Sequence, residues 1–325
     1  MGSGWLDFAS HFFLPRSPMT FNELHLDPAL LAALPAELHT PTRIQQLAIP
    51  VALAGQDLLA LAQTGSGKTL AFGLPLLQGL DSASDRVQGL VLVPTRELAT
   101  QVSAALLGGA EALGLRLLTL CGGVAQEQQQ AELALGPQLL VATPGRLRDL
   151  LAQRRLGLSN LRTLVLDEAD RLLEMGFWPD IQWLLNAMPT ERQTLLFSAT
   201  LPLELESLAI DLLTNPIRIE ANPLNSLVSE IEERLHLVNK SSKVPALISL
   251  LKAQDWPQVL VFISARDDAD GVARKLAKAG IAVAALHGEK DQGAREQALA
   301  DFKAGKVRVL VATDLMARGI HVEAL

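Results

Sequence analysis

Cysteine is nearly absent from this chain, with Cys121 standing alone. One thiol can build neither an intramolecular disulfide framework nor a Cys-rich zinc cluster, which favours a reducing compartment, and Cys121 itself reads as a small buried apolar residue. No uninterrupted apolar run reaches the ~18 residues of a bilayer span, which argues against a membrane segment. Residues 1–18 lack the basic start and small-residue cleavage site of a signal peptide and read as a leader ahead of Met19. Basic tails, RGG segments, low-complexity tracts and solenoid-type repeats are also missing. The net charge is −7, so broad polyanion binding is disfavoured and any contact with nucleic acid has to be local.

What the chain does have is length and apolar content. Its 325 residues, 49% of them hydrophobic, suffice for two α/β units with separate cores. Short β-branched and leucine-rich runs alternate with longer amphipathic stretches, the pattern of βαβ units around a mainly parallel sheet. The strands are expected at 57–61, 89–93, 116–120, 138–142, 163–166, 194–197 and 217–220. Residues 221–229 are uncharged up to Ser229 and contain Pro223 and two asparagines, which suits an interdomain linker. A second alternation places strands at 233–238, 259–264, 282–286 and 307–312. Four apolar, parallel-type strands with few elements to cover them suggest an incomplete second sheet, so 19–220 is expected to form a first domain and 230–325 a partial second one.

Residues 62–69, AQTGSGKT, follow an expected strand and open an expected helix, the context of a phosphate-binding loop. Gly65 and Gly67 let backbone N–H groups turn toward phosphate oxygens, and the helix N-terminus adds partial positive charge. Lys68 suits the β- and γ-phosphates and Thr69 a Mg²⁺ ion. Ala62 stands where the general pattern has Gly, and a plain glycine-rich turn is the alternative. LVLDEAD then places Asp167 and Glu168 directly after a hydrophobic strand. There an Asp can reach the metal and the adjacent Glu can orient and deprotonate water. A charged strand-end loop is the simpler alternative, weakened by the presence of Lys68.

With DEAD at 167–170, PTRELA at 94–99, GG at 122–123, TPGR at 143–146, SAT at 198–200, VFIS at 261–264 and ATDLMARGIH at 312–321, the chain resembles the DEAD-box RNA helicase family over 21–321. That resemblance implies two RecA-like parallel-sheet domains in tandem, the second incomplete. It implies ATP and Mg²⁺ as cofactors, with Phe21, Arg43, Gln45, Gln63, Thr64, Ser66 and Asp314 joining Gly65, Gly67, Lys68 and Thr69 at the nucleotide. By the same likeness Gln45 reads the adenine edge with Phe21 packed nearby. Glu37 and Leu38 stand where the family has Gly and an aromatic. RNA would meet Pro94, Thr95, Arg96, Glu97, Gly122, Gly123, Thr143, Gly145 and Arg146 in the first domain, and Gln292, Arg295 and Thr313 in the second. Small residues, loop N–H donors and a few arginines suit a sugar-phosphate grip that reads no bases. Ser198, Thr200 and Asp170 would couple the γ-phosphate to domain closure, and His321 stands where the family has Asp.

The likeness further implies a cytoplasmic, monomeric, RNA-stimulated ATPase, with protein cofactors besides RNA, that pulls short duplexes apart as its domains close. The family's arginine fingers lie in a segment of the form HRxGRxGR beyond the ATD…RG motif, and the sequence ends at Leu325 without one. A finger is worth about 10³–10⁵ in rate, so the chain is expected to be a truncated form that hydrolyses ATP poorly. Two alternatives stay open. One is an ATP- and RNA-binding or protein-interaction module without turnover. The other is a phosphate-loop NTPase for a non-nucleic partner, which the acidic balance favours but which leaves PTRELA and TPGR unexplained.

Overall fold

The computed structural model describes residues 6–7, 19–123, 126–221, 234–264 and 266–313. The chain divides into two compact units, Met1–Ser226 and Leu227–Leu325.

In the first unit the strands are β1 (Leu6–Asp7), β2 (Leu58–Leu61), β3 (Gly89–Leu92), β4 (Leu117–Leu120), β5 (Leu139–Ala142), β6 (Thr163–Leu166), β7 (Gln193–Ser198) and β8 (Ile217–Glu220). The helices are α1 (Pro28–Ala32), α2 (Arg43–Leu53), α3 (Lys68–Gln78), α4 (Arg96–Ala112), α5 (Gln126–Leu133), α6 (Pro144–Ala152), α7 (Ala169–Glu174), α8 (Trp178–Leu185) and α9 (Leu203–Leu212). The strands pair in parallel in the order β1-β8-β2-β7-β6-β3-β5-β4.

Successive side chains of a strand point to opposite faces, so a strand covered by helices on both sides has to be apolar throughout. LLAL in β2, GLVL in β3 and LLVA in β5 meet that demand and are buried at every position. One face sends Leu58, Ala60, Val91, Val141 and Phe197 into a core with Ile49 of α2, Phe72 of α3 and Val102 of α4. Phe72 meets Phe197 edge to face, with ring centroids 5.3 Å apart, and so seats α3 on β7. The other face packs Leu59, Leu90, Leu140 and Leu196 against Leu147 of α6, Leu172 of α7, Ile181 of α8 and Leu205 of α9.

Because every strand is parallel, all of their carboxyl ends lie on one edge, where loops gather in open α/β sheets. In spatial order that edge carries the loops after β2, β7, β6, β3, β5 and β4.

Residues 1–18 read from the sequence as a leader, and two of them are described, as a short strand. Leu6 and Asp7 pair with Ile217 and Arg218. This gives β8 a neighbour where it would otherwise be an open edge, and exposed edge N–H and C=O groups attract an extended segment.

The second unit has β9 (Val259–Ile263), β10 (Val283–Leu286) and β11 (Val309–Thr313), paired in parallel in the order β10-β11-β9. Its helices are α10 (Lys243–Ala253), α11 (Arg266–Lys278) and α12 (Gln292–Lys303). Leu251, Ala269, Leu276, Val309 and Val311 fill one face, and Leu286, Phe302, Leu310 and Ala312 the other. The fourth strand expected at 233–238 is not formed over its described residues, 234–238. The alternation there is genuine, but a strand needs a ladder partner and a covered face, and Leu235 and Leu237 stand 88% and 89% exposed.

Candidate functional site

The loop after β2 turns through two left-handed glycines, Gly65 at φ 80° and Gly67 at φ 93°. A Cβ on Gly67 would run into the Gln45 amide and the Thr42 hydroxyl, so glycine is required there by space as well as by φ. Lys68, the first residue of α3, is 7% exposed and donates from Nζ to Ala62 O at 2.9 Å. Thr69 follows it, partly exposed, while Gln63, Thr64 and Gly65 are exposed and Ser66 donates through Oγ to Gln63 O at 2.7 Å.

Gln45 lies in the first turn of α2. Its Oε1 accepts from Thr42 N at 2.8 Å and its Nε2 donates to Gly67 O at 3.1 Å. The residue expected to read adenine therefore ties the start of α2 to the glycine loop, with both ends of its amide on main chain. Thr42 completes a capping box with it. Arg43 is exposed, as are Glu37 and Leu38. Phe21 is 4% exposed and belongs to the core beneath α2.

DEAD follows β6, two strands from β2. Asp167 N prolongs the ladder by donating to Leu92 O at 3.0 Å. Glu168 takes a left-handed conformation, φ 51°, as the residue before α7, a costly state for a non-glycine residue. It is held by Arg171 Nη1 at 2.7 Å, and Arg171 was not anticipated from the sequence, although the i, i+3 spacing on one helix turn was there to be read. Burial pushes the Asp167 carboxyl up to about 6, with Lys68 pulling it down and Glu168 adding to the rise. Glu168 is also raised, again by burial first, with Arg171 and Lys68 opposing. One ammonium thus sits within electrostatic reach of two buried carboxyls.

The loop after β7 closes the group. Ser198 lies in register with Leu61, and its carbonyl accepts from Ala62 N at 3.0 Å. Its hydroxyl donates to Thr200 O at 2.7 Å and accepts from Asp170 N at 3.2 Å, so it caps the first turn of the DEAD helix. Thr200 donates to Asp170 Oδ2 twice, from N at 3.0 Å and from Oγ1 at 2.8 Å. The structure therefore brings Asp170 together with Ser198 and Thr200, which lie 28 and 30 residues further along the sequence.

On the other half of the edge, Pro94 is buried and Thr95 caps α4, its Oγ1 accepting from Leu98 N at 3.2 Å. Arg96 and Glu97 follow, partly exposed. Gly123, at φ 81°, lies so close to the Arg96 guanidinium that a Cβ would overlap it, while a Cβ on Gly122 would meet open space. Thr143 donates from N to Leu120 O at 3.0 Å and starts α6, in which Gly145 and Arg146 are partly exposed. Cys121 marks where these loops meet. Burial raises its thiol, Arg96 and Arg146 pull the other way, and Glu97 adds to the rise. PTRELA, GG and TPGR thus converge on one point, at which Gln129 also donates from Nε2 to Cys121 O at 3.0 Å. Nothing in the run QEQQQ singled out Gln129 beforehand.

In the second unit Arg295 lies in the first turn of α12, partly exposed, and Thr313 ends β11. Gln292 begins α12, but its side chain lies outside the described residues, as do the whole of Asp314 and His321.

A parallel α/β sheet whose carboxyl edge joins a glycine loop with lysine, an Asp-Glu pair and a hydroxyl relay defines a RecA-like phosphate-loop NTPase core. Residues 42–208 match the family model "DEAD/DEAH box helicase" and 242–325 match "Helicase conserved C-terminal domain", so this chain belongs to the DEAD-box helicase family. It is 42% identical over 287 residues to the ATP-dependent RNA helicase DbpA of Escherichia coli, covering 88% of this chain and 63% of DbpA. To the RNA helicase CrhR of Synechocystis it is 40% identical over 286 residues, covering 88% of this chain and 58% of CrhR. The chain spans about half the length of the curated relatives it matches. Among solved structures it is similar to S. cerevisiae Dbp5 bound to RNA and ADP BeF3, with a TM-score of 0.85, 28% identity, and coverage of 93% of this chain and 77% of that one.

Proposed function

We propose that this chain binds ATP with Mg²⁺ and grips the backbone of RNA, and that the protein it represents is an ATP-dependent RNA helicase. In this reading short duplexes separate when ATP and RNA draw the two RecA-like domains together. The observation that carries the reading is the order of loops along one sheet edge. Lys68, Asp167, Glu168 and the Ser198–Thr200–Asp170 relay sit side by side, next to the convergence of PTRELA, GG and TPGR. The names of the relatives and the RNA- and nucleotide-bound state of the yeast neighbour support it.

Thr69 and Asp167 fit a Mg²⁺ ion. They supply hard oxygen donors, and the Asp167 carboxyl is buried so deeply that a cation beside it would relieve the cost of ionising it. Bound there, the metal would neutralise charge on the β- and γ-phosphates. Lys68, now on Ala62 O, would transfer donors to the phosphates. Glu168, aimed by its unusual φ and by Arg171, would accept a proton as water attacks the γ-phosphorus. The bond to the β-phosphate oxygen breaks, leaving ADP and phosphate. Gln45 would meet the adenine edge while bracing the Gly67 loop, with Phe21 packed in the core nearby. Thr200 and Ser198 would sense the γ-phosphate through Asp170. Arg96, Arg146 and the glycine turn would hold RNA, joined by Gln292, Arg295 and Thr313 from the second unit, with Asp314 at the ribose. Such contacts go to sugar and phosphate, so RNA would be bound without strong sequence preference.

Steady-state ATP hydrolysis with and without single-stranded RNA tests the proposal. For the helicase that this chain represents, turnover that rises with RNA, and falls about 10²–10⁴-fold in Glu168→Gln, is the expected result. ATP binding without RNA-dependent turnover would reduce the chain to a nucleotide-binding module, and no ATP binding at all would overturn the reading.

A further inference from the structure

Gln129 is 1% exposed and is the one fully buried residue among the described side chains of α5, QEQQQAEL, whose only large apolar residue, Leu133, is partly buried against the core. A helix this polar has little apolar surface with which to dock. It is fastened by a polar group whose Nε2 donates to Cys121 O at 3.0 Å, while Oε1 has no hydrogen-bond partner among the described residues. The accepting carbonyl stands at a critical point. β4 is the last strand of the sheet, and its ladder ends where Leu120 O accepts from Thr143 N. Cys121 O is the next carbonyl, at a residue only 6% exposed, and a buried carbonyl past the end of a ladder needs a donor from elsewhere. Directly after it comes the Gly122–Gly123 turn against which the Arg96 guanidinium lies.

We infer that Gln129 is a positioning residue for RNA binding: by fixing Cys121 O it sets where the Gly122–Gly123 turn stands, and the turn sets where Arg96 points. This rests on the reading that PTRELA, GG and TPGR hold RNA. Gln129 touches no RNA itself, since its amide is enclosed, and it is remote in the sheet order from the loops after β2 and β6. It should therefore change RNA affinity and leave nucleotide affinity alone.

The test is a double-mutant cycle on RNA affinity, measured with a labelled single-stranded RNA in the presence of a non-hydrolysable ATP analogue. Nucleotide affinity without RNA and the melting temperature are followed alongside. Gln129→Met keeps the volume and removes the donor. Gln129→Asn keeps the amide but falls short of Cys121 O, and serves if the Met variant folds poorly. Either should weaken RNA binding about five- to tenfold, the scale of one lost hydrogen bond to a buried group, with nucleotide affinity within about twofold of the parent. In an Arg96→Ala background the same change should have little further effect, because it acts through Arg96. Additive losses, or unchanged RNA affinity in Gln129→Met while Arg96→Ala binds poorly, would overturn the positioning role and leave the RNA face intact. Unchanged affinity in Arg96→Ala would instead remove the RNA face itself, and this inference with it.

Discussion

Along the carboxyl edge of the first unit's sheet, the loops after β2, β7 and β6 are built from buried charge, whereas those after β3, β5 and β4 are built from Gly, Thr, Pro and partly exposed Arg. In the first half Lys68, Asp167, Glu168 and Asp170 are each at most 7% exposed. In the second the charges of Arg96 and Arg146 remain accessible, and the buried group between them, Cys121, is one that burial keeps neutral. The contrast follows from what each half is proposed to hold. Phosphoryl transfer gains from charges removed from water, where each interaction is stronger and already oriented. A releasable grip on a sugar-phosphate chain needs close backbone approach and charges that stay hydrated enough to let go.

The largest expected effect that separates the halves comes from Lys68→Ala. Removing charge-assisted contacts worth about 3 kcal/mol together should weaken ATP binding on the order of a hundredfold, while affinity for RNA without nucleotide stays near the parent value. Titration of both ligands against the variant checks this, and a parallel fall in RNA affinity would dissolve the division between the halves.

Gly123→Ala probes the opposite half with a smaller effect. The left-handed φ costs an alanine about 1 kcal/mol, and the new methyl would displace Arg96. RNA binding should drop several-fold, by about 3- to 10-fold, with ATP affinity unchanged. Fluorescence anisotropy with a labelled single strand reads it directly.

The smallest effect concerns acid–base balance. Asp167, at about 6 when folded, lies above the ordinary carboxylate value of 3.8, so between those values the folded chain binds more protons than the unfolded one. Its contribution is fully present below about 3.8 and is lost as pH rises through about 6, which makes ionised Asp167 a burden on the ligand-free fold at neutral pH. Asp167→Asn should remove this component, so the variant gains stability relative to the parent as pH rises across that window. Melting curves of both proteins from pH 4 to pH 7 measure the difference. A constant difference across the window would show that Asp167 is not held in the desolvated setting that marks the nucleotide half.

Much of this was legible in the residues themselves. The seven strands expected in the first unit all form, most of them a residue or so shorter than expected, because a two-sided parallel sheet demands continuous apolar runs such as LLAL and LLVA that few other structures explain. AQTGSGKT declared a strand-to-helix phosphate loop because its glycines answer a local demand of backbone geometry. The rest was not legible, because it needed a distant partner. The alternation at 234–238 has no strand beside it, and Leu6–Asp7 became a strand only because β8 offered one. That the Gln45 amide joins Thr42 to Gly67 shows only once α2 and the glycine loop are packed together. Gln129 lies in a run of like residues and differs from its neighbours only in what lies next to it after folding.

Sequence alone therefore determined the family, the α/β alternation, and the residue types at each loop, since those depend on contiguous stretches and on chemistry carried by single side chains. Only the tertiary structure decided which loops stand side by side. The strand order places β7 and β6 between β2 and β3, which puts Ser198 and Thr200 on Asp170 and Lys68 among the carboxylates, and it places β5 between β3 and β4, which brings Arg96 to Gly123. Such neighbours are set by how apolar strands pair and cover one another across the whole sheet, a property of the assembled core that no local run of residues contains.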